Sequence, residues 1–381
     1  MHNGLSSDAP GQPGDLREGP TTLLHIFPSF TYGGQQARLA ALARGLGAEF
    51  SHHVVALDGE LSARALFHDD IAVDFSACVL KKSSGIHFSN LAKLRQILNA
   101  VKPDILCTYN WGAIEAVMAN RLGPKLPHVH FEDGFGSDEI LGRQSRRRVL
   151  ARRLLLGASV VVVPSHKLED IALSQWKLKA ARVQRIENGI DYERLRDGQR
   201  GHRSQVVIGS LGALRPEKNY HRLVDAFIGA DLNDTARLEI IGDGPERLAL
   251  VAYAGDDARV KFPGATSLPE NAYAQFDVFA LSSDTEQAPL SLMEAMAAGL
   301  PIVATNVGDI ADMVAPENQA YITPLGDDEA FSHALIQMVQ NPSARAEIGA
   351  ANRRKAKEAF SLERMTQCHR SLYYSLVGEH G

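Results

Sequence analysis

The chain has 381 residues, of which 45% are apolar and 22% charged, and its net charge is −5. This length corresponds to roughly two domains of about 150 residues, and the composition is that of a globular protein that buries a core without disulfides or a structural metal. The small negative charge excludes a global basic field that would recruit nucleic acid.

The remaining compositional features concern compartment and membrane. Three scattered cysteines, Cys78, Cys107 and Cys368, show neither metal-ligand nor disulfide spacing, which favours a reducing, cytoplasmic compartment. No apolar run approaches the roughly 20 residues that span a bilayer. Residues 1–20 are rich in Gly, Pro, Ser and Asp, lack the regions of a signal peptide, and are predicted to form a disordered tail.

From Thr21 onward, short apolar runs alternate with amphipathic stretches. The apolar runs predict buried strands at Thr22–Phe27, His53–Leu57, Asp104–Thr108, Pro127–Phe131 and Ser159–Val163. One helix is predicted through Leu39, Leu42 and Leu46, and a second, capped by Ser89, through Leu91, Leu94, Ile97 and Leu98. This alternation predicts a mostly parallel sheet covered by helices.

The same rhythm restarts after Asp191–Ser204, a polar segment that we interpret as a linker. Strands are predicted at Val206–Leu211, Arg237–Ile241, Val260–Phe262, Val278–Leu281 and Pro301–Ala304, and helices at Tyr220–Ile228, Pro245–Ala254 and Leu290–Ala298. The expected fold class is therefore α/β, with two doubly wound Rossmann-like domains, residues 21–195 and 196–359, facing a central cleft. Ligands of such sheets bind outside the carboxyl ends of the strands.

The most informative stretch is Thr285–Gly308, which reads TEQAPLSLMEAMAAGLPIVATNVG. Its two glutamates, Glu286 and Glu294, are separated by seven residues. Pro289 stands where a helix would begin, because its missing N–H costs nothing at that position. Glu294 would then lie about one turn into the helix and Glu286 in the loop before it.

This arrangement predicts a site for a phosphorylated ligand. The segment Gln287, Ala288, Pro289 and Leu290 would present free backbone N–H groups at the helix start, where the dipole favours a phosphate. A carboxylate only accepts hydrogen bonds, so Glu294 suits the paired hydroxyls of a ribose and Glu286 those of a sugar. The alternative is a solvated glutamate pair on an ordinary helix.

The stretch resembles the E-x7-E segment of the family 4 glycosyltransferases, which are retaining enzymes of the GT-B fold. Further segments similar to that family occur in its order, namely Gly33-Gly34 with Gln35, Asn188–Asp191 (NGID), Gly212–Asn219 (GALRPEKN), Ile241–Glu246 (IGDGPE) and Phe262–Gly264. The resemblance covers roughly Thr21–Val377. It implies that Gly33, Gly34, Gly212 and Gly242 lie in donor-binding loops, and that the last helix, 360–381, returns to the first domain.

The GALRPEKN segment supplies candidate cations. A leaving nucleotide diphosphate develops charge on its β-phosphate, and cations placed there stabilise the transition state more than the ground state. By resemblance Lys218 matches the family's lysine, whereas Ala213 occupies the position of its arginine. Arg215 lies two residues further on and, in an extended segment, would point to the same side. Arg215 is therefore a candidate substitute.

The turn IGDGPE also invites comparison with a dinucleotide-binding fingerprint. Gly242 and Gly244 fit G-x-G, but Arg247 occupies the position of the third glycine. A tight turn at a strand end explains both glycines, so we do not favour an NAD site.

In the first half, Asp133-Gly134 holds the place where family members often carry His-Gly, so Asp133 is a candidate to contact the sugar or the acceptor, with an ordinary loop carboxylate as the alternative. Asn110 and Trp111 end another strand at the same edge and could line an acceptor pocket or simply pack. His128 and His130 lie on a buried strand, where a structural role is favoured. Arg143–Arg153 (RQSRRRVLARR) is basic and amphipathic, and predicts either a solvated helix face or contact with anionic lipid.

These observations predict a retaining glycosyltransferase that moves a sugar from a UDP-, GDP- or ADP-sugar to a carbohydrate or lipid-linked acceptor, without a metal or other cofactor and without nucleic acid. Glu286, Lys218, Arg215 and Asp133 are the catalytic candidates. The setting implied by resemblance is polysaccharide, lipopolysaccharide or glycolipid synthesis at the cytoplasmic side of a membrane. A nucleotide-sugar epimerase of the same fold and a non-catalytic sugar-nucleotide-binding subunit are the alternatives.

Overall fold

The computed structural model describes residues 19–68, 70–81, 87–135, 145–195, 204–230 and 232–378. The predicted tail 1–20 lies almost entirely outside these residues. So do positions 143 and 144 of the basic stretch, positions 196–203 of the predicted linker, and the last three residues of the chain.

The first half of the chain forms a seven-stranded parallel sheet with the strand order β3-β2-β1-β4-β5-β6-β7. Its strands are β1 (Thr21–Phe27), β2 (Phe50–Ala56), β3 (Val73–Ala77), β4 (Ile105–Tyr109), β5 (His128–Phe131), β6 (Val160–Val163) and β7 (Val183–Arg185). The central strand β1 pairs with both β2 and β4, and Leu23, Leu24 and Phe27 are completely buried. A parallel sheet is covered on both faces, which explains why β1 reads as a nearly continuous apolar run.

Five helices connect these strands: α1 (Gly34–Leu46), α2 (Phe88–Val101), α3 (Ile114–Arg121), α4 (Arg146–Leu156) and α5 (His166–Ser174). The apolar residues of α1 pack on one face of the sheet, together with part of the C-terminal helix described below. The apolar residues of α2 and α3 pack on the opposite face. This division of the helices between the two faces makes the sheet doubly wound.

The second half forms a six-stranded parallel sheet with the order β10-β9-β8-β11-β12-β13. Its strands are β8 (Val206–Leu211), β9 (Ala236–Ile241), β10 (Val260–Gly264), β11 (Val278–Leu281), β12 (Ile302–Thr305) and β13 (Ile322–Thr323). The helices are α6 (Tyr192–Leu195), α7 (Tyr220–Gly229), α8 (Arg247–Ala254), α9 (Pro269–Tyr273), α10 (Leu290–Ala297), α11 (Ile310–Met313), α12 (Asp328–Gln340) and α13 (Pro342–Ala359). Two apolar clusters, one on each face, fill this half.

The last helix, α14 (Leu362–Gly378), packs against α1 of the first sheet. Its Met365, Leu372, Tyr373 and Leu376 are buried in the same cluster as Leu39 and Leu42 of α1. The chain thus crosses from the first sheet to the second and then returns to the first.

Several local expectations differ from the structure. Ser89 does not cap α2, because the helix begins at Phe88 and its N-cap position is His87. Strands β3, β7 and β13 and helices α3, α5, α6, α9, α11, α12 and α13 were not predicted, and β13 has only two residues. Strand β3 is a half-exposed edge strand and β7 has three residues, so neither contains the apolar run on which the other strands were predicted. No helix within the described ranges is long and apolar enough to span a membrane.

Candidate active site

The loops after the strands of both sheets meet at their carboxyl ends. A Cβ atom built on Gly34, the first residue of α1, would lie 3.7 Å from Leu290 Cδ1, and one built on Gly134 would lie 3.5 Å from Gln287 Cγ. Gly34 and Gly134 therefore face the predicted donor segment Gln287–Leu290 across the boundary between the two halves, whereas the Cβ position of Gly33 lies against Gln36 of α1. The candidate site lies between these loops.

The donor segment precedes α10, with Pro289 at the N-cap position as predicted. The first backbone N–H groups of a helix have no partner within it, so the start of α10 offers donors to an anion. The loop after β12 packs against the donor segment through Gly308. A Cβ atom at Gly308, which has a φ of +59°, would lie 2.4 Å from the Glu286 carbonyl oxygen, so only glycine permits this approach.

The structure brings Glu286 and Lys218 into direct contact. Lys218 Nζ donates to Glu286 Oε1 at 2.5 Å, and the Ser283 hydroxyl donates to the same oxygen at 2.8 Å. The side chain of Lys218 is 21% exposed and that of Glu286 10%. Two residues that are 68 positions apart thus form one charged pair at the cleft, and an arriving phosphate could take Glu286's place as the partner of Lys218.

A polar frame that was not predicted from the sequence holds this pair. Asn219, with a φ of +42°, caps α7 through its side chain and donates to Asp284 at 3.1 Å. Arg222 donates to Asp284 Oδ1 at 2.8 Å and to the Ser282 carbonyl at 2.6 Å. This frame ties the turn Pro216–Lys218 to the loop that carries Glu286. Asn219 directly follows Lys218 in GALRPEKN, and was the available sequence signal.

Glu294 lies in α10 and accepts a hydrogen bond from the Tyr273 hydroxyl at 2.7 Å. Burial raises the pKa of Glu294 to about 7, although the Tyr273 hydrogen bond and Arg194 act in the opposite direction. Tyr273, at the end of α9, is completely buried. Glu294 is therefore a carboxyl group that changes its charge near neutral pH.

The loops after β8 and β9 approach each other through their backbones. Gly212 N–H donates to the Ile241 carbonyl at 3.0 Å, and Leu214 N–H to the Asp243 carbonyl at 2.9 Å. A Cβ atom at Gly242, which has a φ of +157°, would lie 1.8 Å from the Gly212 carbonyl oxygen. This backbone contact accounts for the glycines of IGDGPE as parts of a tight turn.

Arg215 occupies a different setting from the one expected. Its N–H donates to the Ala213 carbonyl at 3.0 Å, and Leu214 between them is completely buried. The segment therefore turns, and the alternation of an extended chain does not apply to residues 213 and 215. Arg215 is exposed, and its assignment to the diphosphate stays a prediction.

On the opposite side of the cleft, Asp133 forms a paired contact with Arg38 of α1. Arg38 donates to both carboxylate oxygens of Asp133, at 2.7 Å for the contact from Nη2, and Gln35 donates to Asp133 Oδ2 at 2.8 Å. The side chains of Arg38 and Asp133 are 6% and 13% exposed. Burial lowers the pKa of Arg38, but the Asp133 carboxylate outweighs it and the pKa is raised. Arg38 was not among the residues predicted from the sequence.

The acceptor candidates Asn110 and Trp111 lie beside this contact. Asn110 has a φ of +52°, an uncommon conformation for a residue with a side chain, and its Oδ1 accepts from the Asp133 N–H at 2.9 Å. The Trp111 ring packs under Arg148 and Arg152, whose guanidinium carbons lie 5.4 and 5.1 Å from its centroid. Asn110 thus positions the Asp133 loop, and Trp111 packs against α4.

One residue of the basic stretch Arg143–Arg153, for which a solvated face or a lipid contact was predicted, lies on the inner side of α4. Arg152 is 1% exposed and donates to the buried Glu132 at 3.1 Å, while its guanidinium lies 4.9 Å from the Trp176 ring centroid. Because it is held in the interior by a carboxylate and two tryptophan rings, Arg152 is not part of a solvated face. His128 and His130 are also buried, and both contact the Thr108 hydroxyl at 2.8 Å.

Two side-chain hydrogen bonds join the halves at the donor segment. Asn188 of the NGID stretch accepts from Arg38 at 3.0 Å and donates to the Ala288 carbonyl at 2.9 Å. The Ser165 hydroxyl donates to Gln287 Oε1 at 3.2 Å. The Arg38–Asp133 contact is thereby connected through Asn188 to the loop that precedes α10. Within the described part of the chain, no cluster of His, Cys, Asp or Glu has the arrangement of a metal site.

Comparison with known families agrees with this geometry. The family model described as "Glycosyltransferase Family 4" matches residues 32–194, and "Glycosyl transferases group 1" matches residues 192–355. The chain belongs to the family 4 glycosyltransferases. Together the two matches cover residues 32–355, which include every motif on which the resemblance was based but neither β1 nor α14.

Curated relatives of this glycosyltransferase act on different substrates, according to their names. The chain is 28% identical to N-acetyl-alpha-D-glucosaminyl L-malate synthase of Bacillus anthracis, over 46% of each chain. It is also 28% identical to the GDP-mannose-dependent alpha-mannosyltransferase of Mycobacterium tuberculosis, over 65% of this chain and 66% of the relative. The matched segments therefore span about half to two thirds of the length of these relatives.

Solved structures confirm the GT-B fold. The Anabaena protein HepE, crystallised with UDP and glucose, superposes with a TM-score of 0.77 at 20% identity, covering 93% of this chain and 99% of HepE. Sucrose-phosphate synthase from Thermosynechococcus elongatus superposes with a TM-score of 0.76 at 18% identity, covering 94% and 100%. At such identities the likeness establishes the architecture of this glycosyltransferase and not its substrates.

Proposed function

We propose that this family 4 glycosyltransferase moves a sugar from a nucleotide-diphosphate sugar to an acceptor hydroxyl, with retention of the anomeric configuration. The observation that carries the proposal is the Lys218–Glu286 pair beside the start of α10. It places a cation, backbone N–H donors and a sugar-binding carboxylate within one short region. The relatives' names, which include UDP and GDP-mannose, support a UDP-, GDP- or ADP-sugar as the donor.

Each residue has a distinct part in the proposed reaction. Lys218, with the N-terminus of α10 and Arg215, would stabilise the charge that develops on the leaving diphosphate. When the diphosphate replaces Glu286 as the ion-pair partner of Lys218, the Glu286 carboxylate becomes free to accept hydrogen bonds from the sugar hydroxyls. Glu294 would accept from the ribose hydroxyls. Attack by the acceptor on the face that the diphosphate leaves would retain the configuration.

We further propose that the transfer needs no resident metal or other cofactor. Lys218 and the helix start are suited to neutralise the diphosphate themselves, as divalent cations do in other enzymes. On this proposal, treatment with a chelator leaves the rate of transfer unchanged, and loss of activity that added Mg²⁺ restores would contradict it.

The acceptor side of the proposal concerns α4. Its outer face exposes Arg146, Arg147 and Arg153 together with Leu150 (54% exposed) and Leu154 (62% exposed). Cationic and apolar side chains on one helix face suit an anionic lipid surface, which supports a lipid-linked acceptor and a location at the cytoplasmic face of a membrane. Sedimentation with anionic vesicles tests this contact, and a variant with Arg146, Arg147 and Arg153 changed to Gln should bind them less.

The decisive experiment measures nucleotide release and thermal stabilisation by a panel of UDP-, GDP- and ADP-sugars, in the wild type and in Glu286→Gln and Lys218→Met. Removing one group that stabilises transition-state charge costs about 10²–10³-fold in rate, so Lys218→Met should lose activity to that extent, whereas Glu286→Gln should weaken donor binding because an amide accepts fewer hydrogen bonds from the sugar hydroxyls than a carboxylate does. Lys93→Met is the control, because Lys93 lies on α2 and its ammonium contacts only the Val79 carbonyl among the described hydrogen bonds.

The outcomes separate the proposal from its alternatives. Donor-dependent release with a retained anomer in the product supports the transferase. Conversion of a UDP-sugar in the absence of any acceptor points instead to an epimerase of the same fold. Stabilisation by nucleotide without turnover under any condition indicates a non-catalytic binding subunit. If no nucleotide sugar shifts the melting temperature of the wild type, the donor-site assignment is wrong.

A further inference from the structure

We propose that Asp309 is a positioning residue that latches the donor segment to the first domain by capping a helix of that domain. The inference rests on the proposed function for its consequence in catalysis, and on the structure alone for the latch itself. Asp309 lies in the second domain, in the loop between β12 and α11, whereas the helix that it caps, α5, belongs to the first sheet. Neither Asp309 nor α5 was predicted from the sequence.

The latch is formed at the N-terminus of α5. The backbone N–H of His166 donates to Asp309 Oδ2 at 2.6 Å, and that of Lys167 to Asp309 Oδ1 at 3.2 Å. These first N–H groups of a helix have no acceptor within it, and the helix dipole favours a carboxylate at this end. The helix's own cap, Ser165, accepts from the Leu168 N–H at 3.1 Å. Asp309 completes what Ser165 leaves unsatisfied.

Asp309 is bound just as directly to the donor segment. Its N–H donates to the Gln287 carbonyl at 3.0 Å. The preceding residue, Gly308, approaches the Glu286 and Gln287 carbonyl oxygens so closely that a Cβ atom there would lie 2.4 and 2.7 Å from them. Any displacement of Asp309 relative to α5 is therefore transmitted to the loop that carries Glu286.

Two further contacts act in parallel with Asp309. The Ser165 hydroxyl donates to Gln287 Oε1 at 3.2 Å, and Asn188 Nδ2 donates to the Ala288 carbonyl at 2.9 Å. Ser165 thus contributes to both the capping of α5 and the contact with the donor segment. Asp309 carries the carboxylate of this group and is 9% exposed, so its loss should weaken the contact between the two domains at the donor segment most.

The consequence concerns donor binding. A donor held between the facing loops needs Glu286 and the start of α10 in fixed positions, and these positions are set through Asp309 from the other domain. Without the carboxylate, the arrangement in which α5 contacts Asp309 becomes less populated, and the apparent affinity for the donor falls in proportion to that population. The maximal rate at saturating donor should change less than the donor KM.

The test compares Asp309→Ala with Asp327→Ala. Asp327 caps α12 through a hydrogen bond to the Ala330 N–H at 2.9 Å, so the control also removes an aspartate cap, but one whose helix belongs to the same domain. The first readout is hydrogen exchange of the peptide that contains His166 and Lys167. The second is the donor KM, or the dissociation constant of the free nucleotide measured by thermal shift.

We expect Asp309→Ala to accelerate exchange at His166 and Lys167 and to raise the donor KM, each about five- to tenfold, the range that loss of one helix cap produces. Asp309→Asn, which keeps one capping oxygen, should recover part of both effects. Asp327→Ala should leave both readouts unchanged.

Unchanged exchange at α5 in Asp309→Ala would overturn the latch, and faster exchange with an unchanged KM would overturn its positioning role. If the wild type binds no nucleotide while exchange is accelerated in the variant, the proposed function fails and the contact between the domains stands.

Discussion

The two sides of the cleft are built in different ways. On the donor side, the loops after β8 and β9 approach through glycine backbones, and the candidate side chains lie in two short stretches, Gly212–Asn219 and Thr285–Gly308, which the Lys218–Glu286 pair joins. On the opposite side, Arg38 and Asp133 form their contact across 95 residues of sequence. Both sides thus contain a charge pair that is distant in sequence, and the donor side adds close backbone contacts between loops that short glycine-containing motifs encode.

The interiors of the two halves also differ, in the number of ionisable side chains that they bury. The first half buries His25, His52, His128 and His130 and the guanidinium groups of Arg38 and Arg152. The buried polar side chains of the second half are mainly neutral, with Glu239 and Asp309 as the charged ones among its described residues. Buried ionisable groups make stability depend on pH and on complete pairing. The first half should therefore lose more stability than the second when the pH falls or when one partner of a buried pair is removed.

Among the predicted changes, acidification should lower the free energy of unfolding most, and it should destabilise the first half selectively. Burial lowers the pKa of His52 and His369 to about 4 and that of His25 and His128 well below the usual value. The unfolded chain takes up these protons near pH 6.5, so their contribution to stability is complete above that pH and is lost as the pH falls toward 4. By pH 5 the loss is roughly 2 kcal/mol per histidine.

Tryptophan fluorescence measures this directly, because both tryptophans, Trp111 and Trp176, belong to the first half. His52→Leu should reduce the pH dependence of unfolding by about 1.4 kcal/mol per pH unit. The control, His53→Leu, changes the next residue of β2, whose side chain is 24% exposed. If urea unfolding monitored by fluorescence has the same midpoint at pH 5 and pH 7, the buried histidines do not determine stability.

The features predicted from the sequence are those that local patterns encode, and the features missed depend on contacts between distant residues. Both doubly wound sheets were predicted, because apolar strands and amphipathic helices are local patterns. The E-x7-E stretch placed Pro289 correctly before α10 for the same reason. Arg38 was missed, because an arginine within an amphipathic helix such as α1 reads as a solvated residue. Only the fold shows that it points at Asp133, and likewise that Asp309 caps a helix of the other domain.

Removal of the Arg38 guanidinium should cause the next largest loss of free energy of unfolding. Arg38→Met leaves the Asp133 carboxylate, 13% exposed, without its counter-charge, and breaking a buried pair in this way costs about 3–5 kcal/mol. The double variant Arg38→Met/Asp133→Asn removes both charges and should recover most of that loss in urea unfolding.

Arg185→Met is the matched control in the same half. Arg185 is 27% exposed and its partners Glu169 and Glu187 are 32% and 39% exposed, so its loss should cost at most about 1 kcal/mol. Equal losses in the two single variants would mean that the Arg38–Asp133 contact is no more than a surface ion pair.

The smallest expected effect lies on the donor side, where Tyr273→Phe tests Glu294. Burial raises the pKa of Glu294 to about 7, and the Tyr273 hydroxyl holds it lower than burial alone would. Without that hydroxyl the pKa rises, so a smaller fraction of Glu294 is ionised at pH 7 and able to accept from a ribose. The donor KM at pH 7 should increase about threefold, because the loss of one hydrogen bond of about 1 kcal/mol raises the pKa of Glu294 by roughly 0.7 and lowers its ionised fraction accordingly.

The pH profile distinguishes this account from simple disruption of the site. Raising the pH to 8.5 restores the carboxylate and should bring the KM of Tyr273→Phe back toward that of the wild type, whereas a misplaced Glu294 would stay impaired at every pH. Tyr253→Phe removes a similar tyrosine–aspartate hydrogen bond on α8, 2.8 Å long, and should change neither value. A donor KM that is independent of pH in both wild type and Tyr273→Phe would mean that the charge of Glu294 takes no part in donor binding.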